Sequence, residues 1–233
     1  MNIGLFGYGK MGKMIEKIGI QRNHSIVAKV DVDTKEVDYT AIDIAIDFSS
    51  PEAAFNNIKS CLEHNIPVIS GTTGWLKDYD KVISLSKEKN GAFIYASNFS
   101  LGVNLFFELN CYLAKMMNNL PQYKVSIEET HHLQKLDAPS GTAISLAEGI
   151  IENSDYEGWQ MEKSRDQYIP IISKRIADEY GTHIVSYENL VDEIVIKHKA
   201  HNREGFALGA IVAAEWLIGK KGVFTMKDVL NLG

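Results

Sequence analysis

Cysteine is scarce in this chain: Cys61 and Cys111 are its only two. Two thiols cannot staple a fold, so a disulfide-built secreted scaffold is excluded and a reducing, cytoplasmic setting is expected. Proline is sparse as well, at five residues, and no repeat or low-complexity run breaks the chain. Lysine and arginine total 24 against 30 acidic residues, which argues against a nucleic-acid surface. No apolar run approaches the length of a membrane span. Residues 1–6 are apolar but too short for a signal segment and lack its basic flank, so they read as a strand. A small anionic ligand stays possible, because a basic pocket can sit inside an acidic protein. With 233 residues there is room for one large domain or two modest ones.

What the chain does contain is a regular alternation of short apolar runs and helical patterns through its first hundred residues. That alternation predicts βαβ units and a parallel sheet. Strands are expected at 2–6, 25–30, 42–47, 67–70 and 92–96, with helices at 10–19, 51–64 and 75–89. Ser50 stands as the N-cap of the second helix, with Pro51 at its first position. Beyond residue 100 the texture changes. A long helix is expected at 101–118, a strand at 123–129, a helix at 140–151, and antiparallel strands at 182–187 and 193–199. A last helix at 205–219 is expected to return to the first domain. The polar segment 153–170 reads as a mobile loop.

Gly7-Tyr8-Gly9-Lys10-Met11-Gly12 is a G-x-G-x-x-G lying between a strand and a helix. The first glycine serves the tight turn, the second a close approach of backbone to a pyrophosphate, the third helix–strand packing. Asp31 ends the second strand, where an acid would bind ribose hydroxyls. The expected architecture is therefore a Rossmann-like α/β domain over 1–98 and 205–233. A smaller α+β domain with a mixed sheet spans 99–204, to which the resemblance described below gives substrate binding and oligomerisation. A plain turn, or a flavin site, remains an alternative for the glycines alone. Asp31 favours NADH, yet Lys35 lies near enough in sequence to hold a 2′-phosphate, so the choice between NADH and NADPH stays open. Two more loops belong at the carboxyl edge of the sheet: Gly71-Thr72-Thr73-Gly74 and Ser97-Asn98-Phe99-Ser100. Taken singly, each could be ordinary turn chemistry.

The densest chemistry runs from Glu128 to Ala143. His131 and His132 can exchange protons near neutral pH, and Lys135 adds fixed positive charge. Ser140 and Thr142 are placed to cap the next helix, while Gly141 leaves its N-terminus bare for a carboxylate. The set suits a small dianionic substrate that needs one proton. A metal pair at His131 and His132 lacks a third ligand at a usual zinc spacing, and Glu128 and Glu129 read as easily as solvated strand charges. No metal is expected.

The stretch Glu129-Thr130-His131-His132 through Lys135, Asp137 and Pro139-Ser140-Gly141-Thr142-Ala143 resembles the signature of the dihydrodipicolinate reductase family. Further matching pieces are Ile46-Asp47-Phe48-Ser49, both carboxyl-edge loops, His198-Lys199-Ala200 and Arg203. The resemblance implies NADH- or NADPH-dependent reduction of a cyclic imine in diaminopimelate and lysine biosynthesis. It implies His131 as proton donor, with Lys135 binding substrate and assisting. His132, Ser140, Gly141 and Thr142 would hold a substrate carboxylate. Gly7, Tyr8, Gly9, Lys10, Met11, Gly12, Asp31, Gly71, Thr72, Thr73, Ser97, Asn98 and Phe99 would bind the cofactor. It also implies a homotetramer in the cytoplasm. The glycine loop is one residue shorter than the family's common form, and Ile176 stands where small residues are usual. A paralogous amino-acid or imine dehydrogenase is the alternative, against which the His131–Lys135 loop and the Ser140-Gly141-Thr142 turn argue, and a nucleotide sensor would need a plainer second domain than this one.

Overall fold

The computed structural model describes residues 1–161 and 165–232. It divides into two units, one of Met1–Leu101 with Glu204–Gly233 and the other of Gly102–Arg203.

The first unit is built on six parallel strands: β1 (Asn2–Phe6), β2 (Ser25–Val30), β3 (Ile44–Asp47), β4 (Val68–Ser70), β5 (Ala92–Tyr95) and β11 (Gly222–Phe224). Their order is β11-β5-β4-β3-β1-β2. The chain therefore steps from β1 to one side and returns to pair β3 on the other, so the switch point lies where Phe6 pairs with Asp47. In an open parallel sheet the crevice beyond that point is where ligands bind. β1, β3 and β4 are almost wholly apolar because both faces are covered. On one face α1 (Lys10–Gln21) and α6 (Glu204–Leu217) bury Ile15, Ile18, Ala210, Ile211, Ala214 and Leu217. On the other, α2 (Pro51–Glu63) and α3 (Tyr79–Glu88) bury Ala54, Ile58, Leu62 and Val82. A short α7 (Met226–Leu230) ends the unit behind a Thr225–Asp228 capping box.

The second unit is a mixed five-stranded sheet of order β10-β9-β6-β8-β7. Its strands are β6 (Lys124–His131), β7 (Gly158–Met161), β8 (Tyr168–Arg175), β9 (Thr182–Glu188) and β10 (Glu193–Lys199). Two helices, α4 (Leu101–Met117) and α5 (Gly141–Ile151), pack on one face against Val125, Ile127, Ile169, Ile171 and Val185. β6 runs antiparallel to β9 and parallel to β8.

Several expectations need correction. The segment 153–170 is not one long loop: it carries β7 and the start of β8, though 162–164 fall outside the described residues. The third helix starts at Tyr79, after a 3-10 turn over Leu76–Asp78, because Trp75 is drawn inward and its indole N–H donates to the Thr72 carbonyl at 2.7 Å. Ser50 occupies the N-cap of α2 but makes no side-chain capping bond.

Candidate active site

The candidate residues of the first unit grow from the end of β1. Gly7 turns there at φ +91°, with its N–H donated to the Val30 carbonyl. A Cβ on Gly7 would lie 2.1 Å from the Phe48 carbonyl oxygen, and one on Gly12 would lie 2.3 Å from the Gly7 carbonyl oxygen. Beside Gly9 there is open space. The first and third glycines thus let strand, turn and helix close on one another, and the second presents bare backbone. α1 begins without a side-chain cap or an acid in its first turn, so its leading N–H groups are available to an anion. This cradle fits a dinucleotide pyrophosphate.

A cleft of about 350 Å3 opens beside it, bordered by Gly7, Tyr8, Gly9, Asp31, Ser49 and Asn57 among others. The Tyr8 hydroxyl is tied to Glu16 and to Lys29 Nζ. Lys10 is exposed on the first turn of α1. A second cleft of about 240 Å3 is lined by Met11, Phe48, Ser49, Gly71, Thr72 and Thr73. Thr72 is buried, with its hydroxyl spent on Asp47 and the Ser49 N–H, so it shapes this cleft from beneath. Of the β5 loop, Ser97 is exposed and Asn98 accepts the Ser100 N–H, whereas the Phe99 ring is core and leaves only backbone to a ligand. A Gly12→Ala variant is expected to lose measurable NADH binding and about 1–3 kcal/mol of stability through overpacking. Cofactor titration and urea unfolding check this.

A second group of candidate residues lies in the other unit. Period-two alternation along β6 places Val125, Ile127, Glu129 and His131 on the core face. Glu129 is fully buried. It accepts the Ser140 N–H at 3.0 Å and the Ser173 hydroxyl at 2.7 Å. Around it stand His131 Nδ1 at 3.5 Å, Arg175 Nη1 at 3.6 Å and His183 Nε2 at 3.7 Å. Burial on its own would raise the carboxyl, but the nearby His183 imidazole and the hydrogen bonds from Ser140 and Ser173 outweigh it and hold Glu129 well below the usual carboxylate range. Reading Glu129 as a solvated charge was therefore wrong; only Glu128 behaves that way, paired outward with Lys174.

His131 is buried and stacks edge-on to His183 at 5.0 Å. Burial foremost, then the His183, Lys135 and Arg175 charges, pushes it down to about 4 against the opposing pull of Glu129. Lys135 Nζ donates to both Asp137 oxygens at 2.8 Å. The loop carrying it is pinned by Arg175, which donates to the carbonyls of Lys135 and Asp137. Ser140 caps α5 by accepting the Ala143 N–H, and its hydroxyl meets His183 Nε2 at 3.1 Å. Its own N–H is already given to Glu129. The open anion cradle is thus Gly141 and Thr142, whose N–H groups start the helix with no intrahelical partner. Space beside Gly141 is clear. His132 sits apart, half-buried along a cleft of about 260 Å3 with Gln134, Asp178 and Tyr180.

Ligand atoms of Glu129, His131 and His183 lie within 4.8 Å of one another, a grouping that could hold a metal. The carboxylate already accepts two donors and faces a guanidinium, so the group reads as an internal network around the acid. Sequence reasoning missed Glu129 as an inward charge, together with His183, Ser173 and the pinning role of Arg175. The β6 alternation was the available signal for the first of these.

A glycine turn at the switch point of a parallel sheet, joined in one chain to a buried imidazole poised over a carboxylate, defines a nicotinamide-dependent oxidoreductase. The model for the N-terminus of dihydrodipicolinate reductase matches residues 1–99, and the model for its C-terminus matches 102–230. The chain belongs to the dihydrodipicolinate reductase family. It is 58% identical to a 4-hydroxy-tetrahydrodipicolinate reductase of Christiangramia forsetii, over 99% of this chain and 98% of that one. A second relative of the same name, from Buchnera aphidicola subsp. Schizaphis graminum, is 37% identical over 93% of this chain and 81% of its own. Among solved structures, a dipicolinate-bound dihydrodipicolinate reductase from Paenisporosarcina sp. TG-14 superposes with a TM-score of 0.78 at 22% identity, covering 97% of both chains. The activity is the one these relatives are named for, a reduction that draws on NADH or NADPH in diaminopimelate and lysine biosynthesis.

Proposed function

We propose that His131 is the acid of this reduction, that Lys135 binds and polarises the substrate, and that Gly141 and Thr142 cradle one carboxylate of the dianionic cyclic imine. The observation that carries this reading is the buried His131–Glu129 pair two strand positions apart, with the free N-terminus of α5 beside it. When bound, the reduced nicotinamide supplies the hydride. Everything else falls to the chain. Gly7, Gly9, Lys10, Met11 and Gly12 hold the pyrophosphate, and Asp31 the adenosine ribose. The loops at Gly71–Thr73 and Ser97–Phe99 border the nicotinamide end. Hydride addition leaves electron density on the imine ring, which a nearby cation and acid stabilise as it forms. Lys135 supplies that charge, since its present partner Asp137 is exposed and a substrate carboxylate can displace it. Ser140 supports the cradle by capping α5, while His132 lies in its own cleft.

NADH is the preferred donor in this reading. Asp31 lines the adenosine cleft, and the next residue, Val32, is 94% exposed where an arginine would serve a 2′-phosphate. The uncovered face of the second sheet, with Ile172, Ile184 and Val195 on it, supports assembly to a homotetramer, and the two free cysteines fit a cytoplasmic setting. The test couples a synthase that makes the imine from pyruvate and aspartate semialdehyde to this chain and follows NADH and NADPH oxidation separately. Faster oxidation of NADH is expected. Oxidation of neither would remove the substrate assignment, and equal rates would remove the preference.

A further inference from the structure

The segment Ile46-Asp47-Phe48-Ser49 has no role in the chemistry so far, yet it occupies the switch point of the first sheet. Asp47 is the last residue of β3 and is only 1% exposed. An isolated buried carboxylate is costly and is retained only where donors satisfy it. Asp47 has four. Ser49 Oγ and Asn57 Nδ2 donate to Oδ1 at 2.6 and 3.2 Å, and Thr72 Oγ1 and Ser70 Oγ donate to Oδ2 at 2.7 and 2.8 Å. Its own carbonyl accepts the Gly71 N–H at 2.9 Å.

These bonds tie together three stretches distant in sequence: the β3 loop, α2 and the β4 loop. The next residue extends the tie. The Phe48 carbonyl fills the space a Gly7 Cβ would need, and its ring lies 2.3 Å from where a Gly71 Cβ would stand. Phe48 and Ser49 are also the residues that border both clefts of the unit, the one beside Asp31 and the one beside Thr72 and Thr73. The adenosine end of a dinucleotide is anchored at Asp31 and the glycine turn. The remaining half must then pass this wall to reach the cleft at Gly71–Thr73.

We propose that Asp47 is a positioning residue for the cofactor: it fixes the wall at Phe48–Ser49 between the two clefts and thereby sets the path of the nicotinamide half. Asp47 touches no substrate and acts through Ser49, Thr72 and the Gly71 backbone. One of its oxygens is met by Asn57, which borders the adenosine cleft, and the other by Thr72, which borders the second cleft, while Ser49 borders both. An asparagine keeps the size but offers one acceptor oxygen, so one side is released.

The experiment compares NADH and ADP-ribose, which lacks the nicotinamide, by titration against wild type, Asp47→Asn and Thr72→Val. Urea unfolding of each apo protein runs alongside. Asp47→Asn is expected to weaken NADH by tenfold or more, the order of a lost hydrogen bond to a charged acceptor. ADP-ribose should weaken by no more than about threefold. Thr72→Val keeps the carboxylate and removes one donor, so it should repeat the selective loss in smaller measure even if Asp47→Asn fails to fold. Equal weakening of both ligands, in step with lowered stability, would make Asp47 merely structural and overturn the proposal. So would unchanged NADH affinity in Thr72→Val. Wild type that bound neither ligand would instead count against the cofactor assignment itself.

Discussion

A His131→Gln variant is expected to lose about 10²–10⁴-fold in kcat, the usual contribution of a placed general acid, while its affinity for NADH stays near wild type. The affinity is spared because His131 belongs to a different unit from the glycine turn. The pH behaviour gives a second check. In the free protein His131 is held at about 4 by burial and by the His183, Lys135 and Arg175 charges, so the imidazole is neutral at pH 7. On the proposed reading, a substrate dianion held at Gly141 and Thr142 adds negative charge near the ring and draws a proton onto it. The profile of kcat reports the complex and that of kcat/KM the free enzyme. The kcat profile should therefore keep its plateau to higher pH than kcat/KM does. Coincident breaks near an ordinary imidazole value of about 6.5 would contradict this account.

The second large effect falls on stability. Glu129→Gln removes the charge around which His131, Arg175, His183, Ser140 and Ser173 are arranged, and it leaves a guanidinium facing a neutral amide. Loss of one partner from such a buried group costs about 3–5 kcal/mol. Urea unfolding at pH 7 measures it, and kcat should fall as the imidazole loses its support. The pH dependence has a definite sign. Glu129 titrates lower in the folded chain than in the unfolded one, so its contribution is complete above the ordinary carboxylate value of about 4.3 and fades as pH falls further. The gap between wild type and variant should thus narrow only in strong acid. His131 works in the same direction but at higher pH. The unfolded ring takes a proton near 6.5 and the folded one near 4, so the native state loses stability on acidification between those values. His131→Gln should flatten that part of the wild-type curve. A stability gap for Glu129→Gln that stays constant as pH falls from about 4.3 into strong acid would show the carboxylate to be ordinary.

The first unit was legible because its signals are local. The helix Lys10–Gln21 follows a strand and a glycine turn, and the switch from period two to period 3.6 falls between neighbouring residues. The second unit was legible in its helices and in β9 and β10, but not in β7 and β8. Pro170 sits inside β8, and a proline within a run argues against a central strand. What makes it one is pairing with β6 and β7, which no local pattern reveals. The site follows the same division. His131, Lys135 and the Ser140–Thr142 turn share one stretch of chain, whereas Arg175 and His183 arrive from β8 and β9 through sheet register alone. Glu129 was misread for a different reason. Two adjacent acids look alike in sequence, and only the pleat sends one to solvent and the other to the core.

The first unit is assembled from both ends of the chain, for β11 and α6 come from beyond Glu204 while the second unit is one unbroken stretch. On the ribosome this sets an order of events. Domains fold as units once their residues have emerged. The later half of the sequence can therefore reach its native form while the earlier half still lacks the helix that buries Ile211 and Leu217 against it. Until residues 204–224 have emerged, β5 lacks its β11 neighbour and that face of the sheet is covered by α1 alone, so the first unit is the last of the two to close.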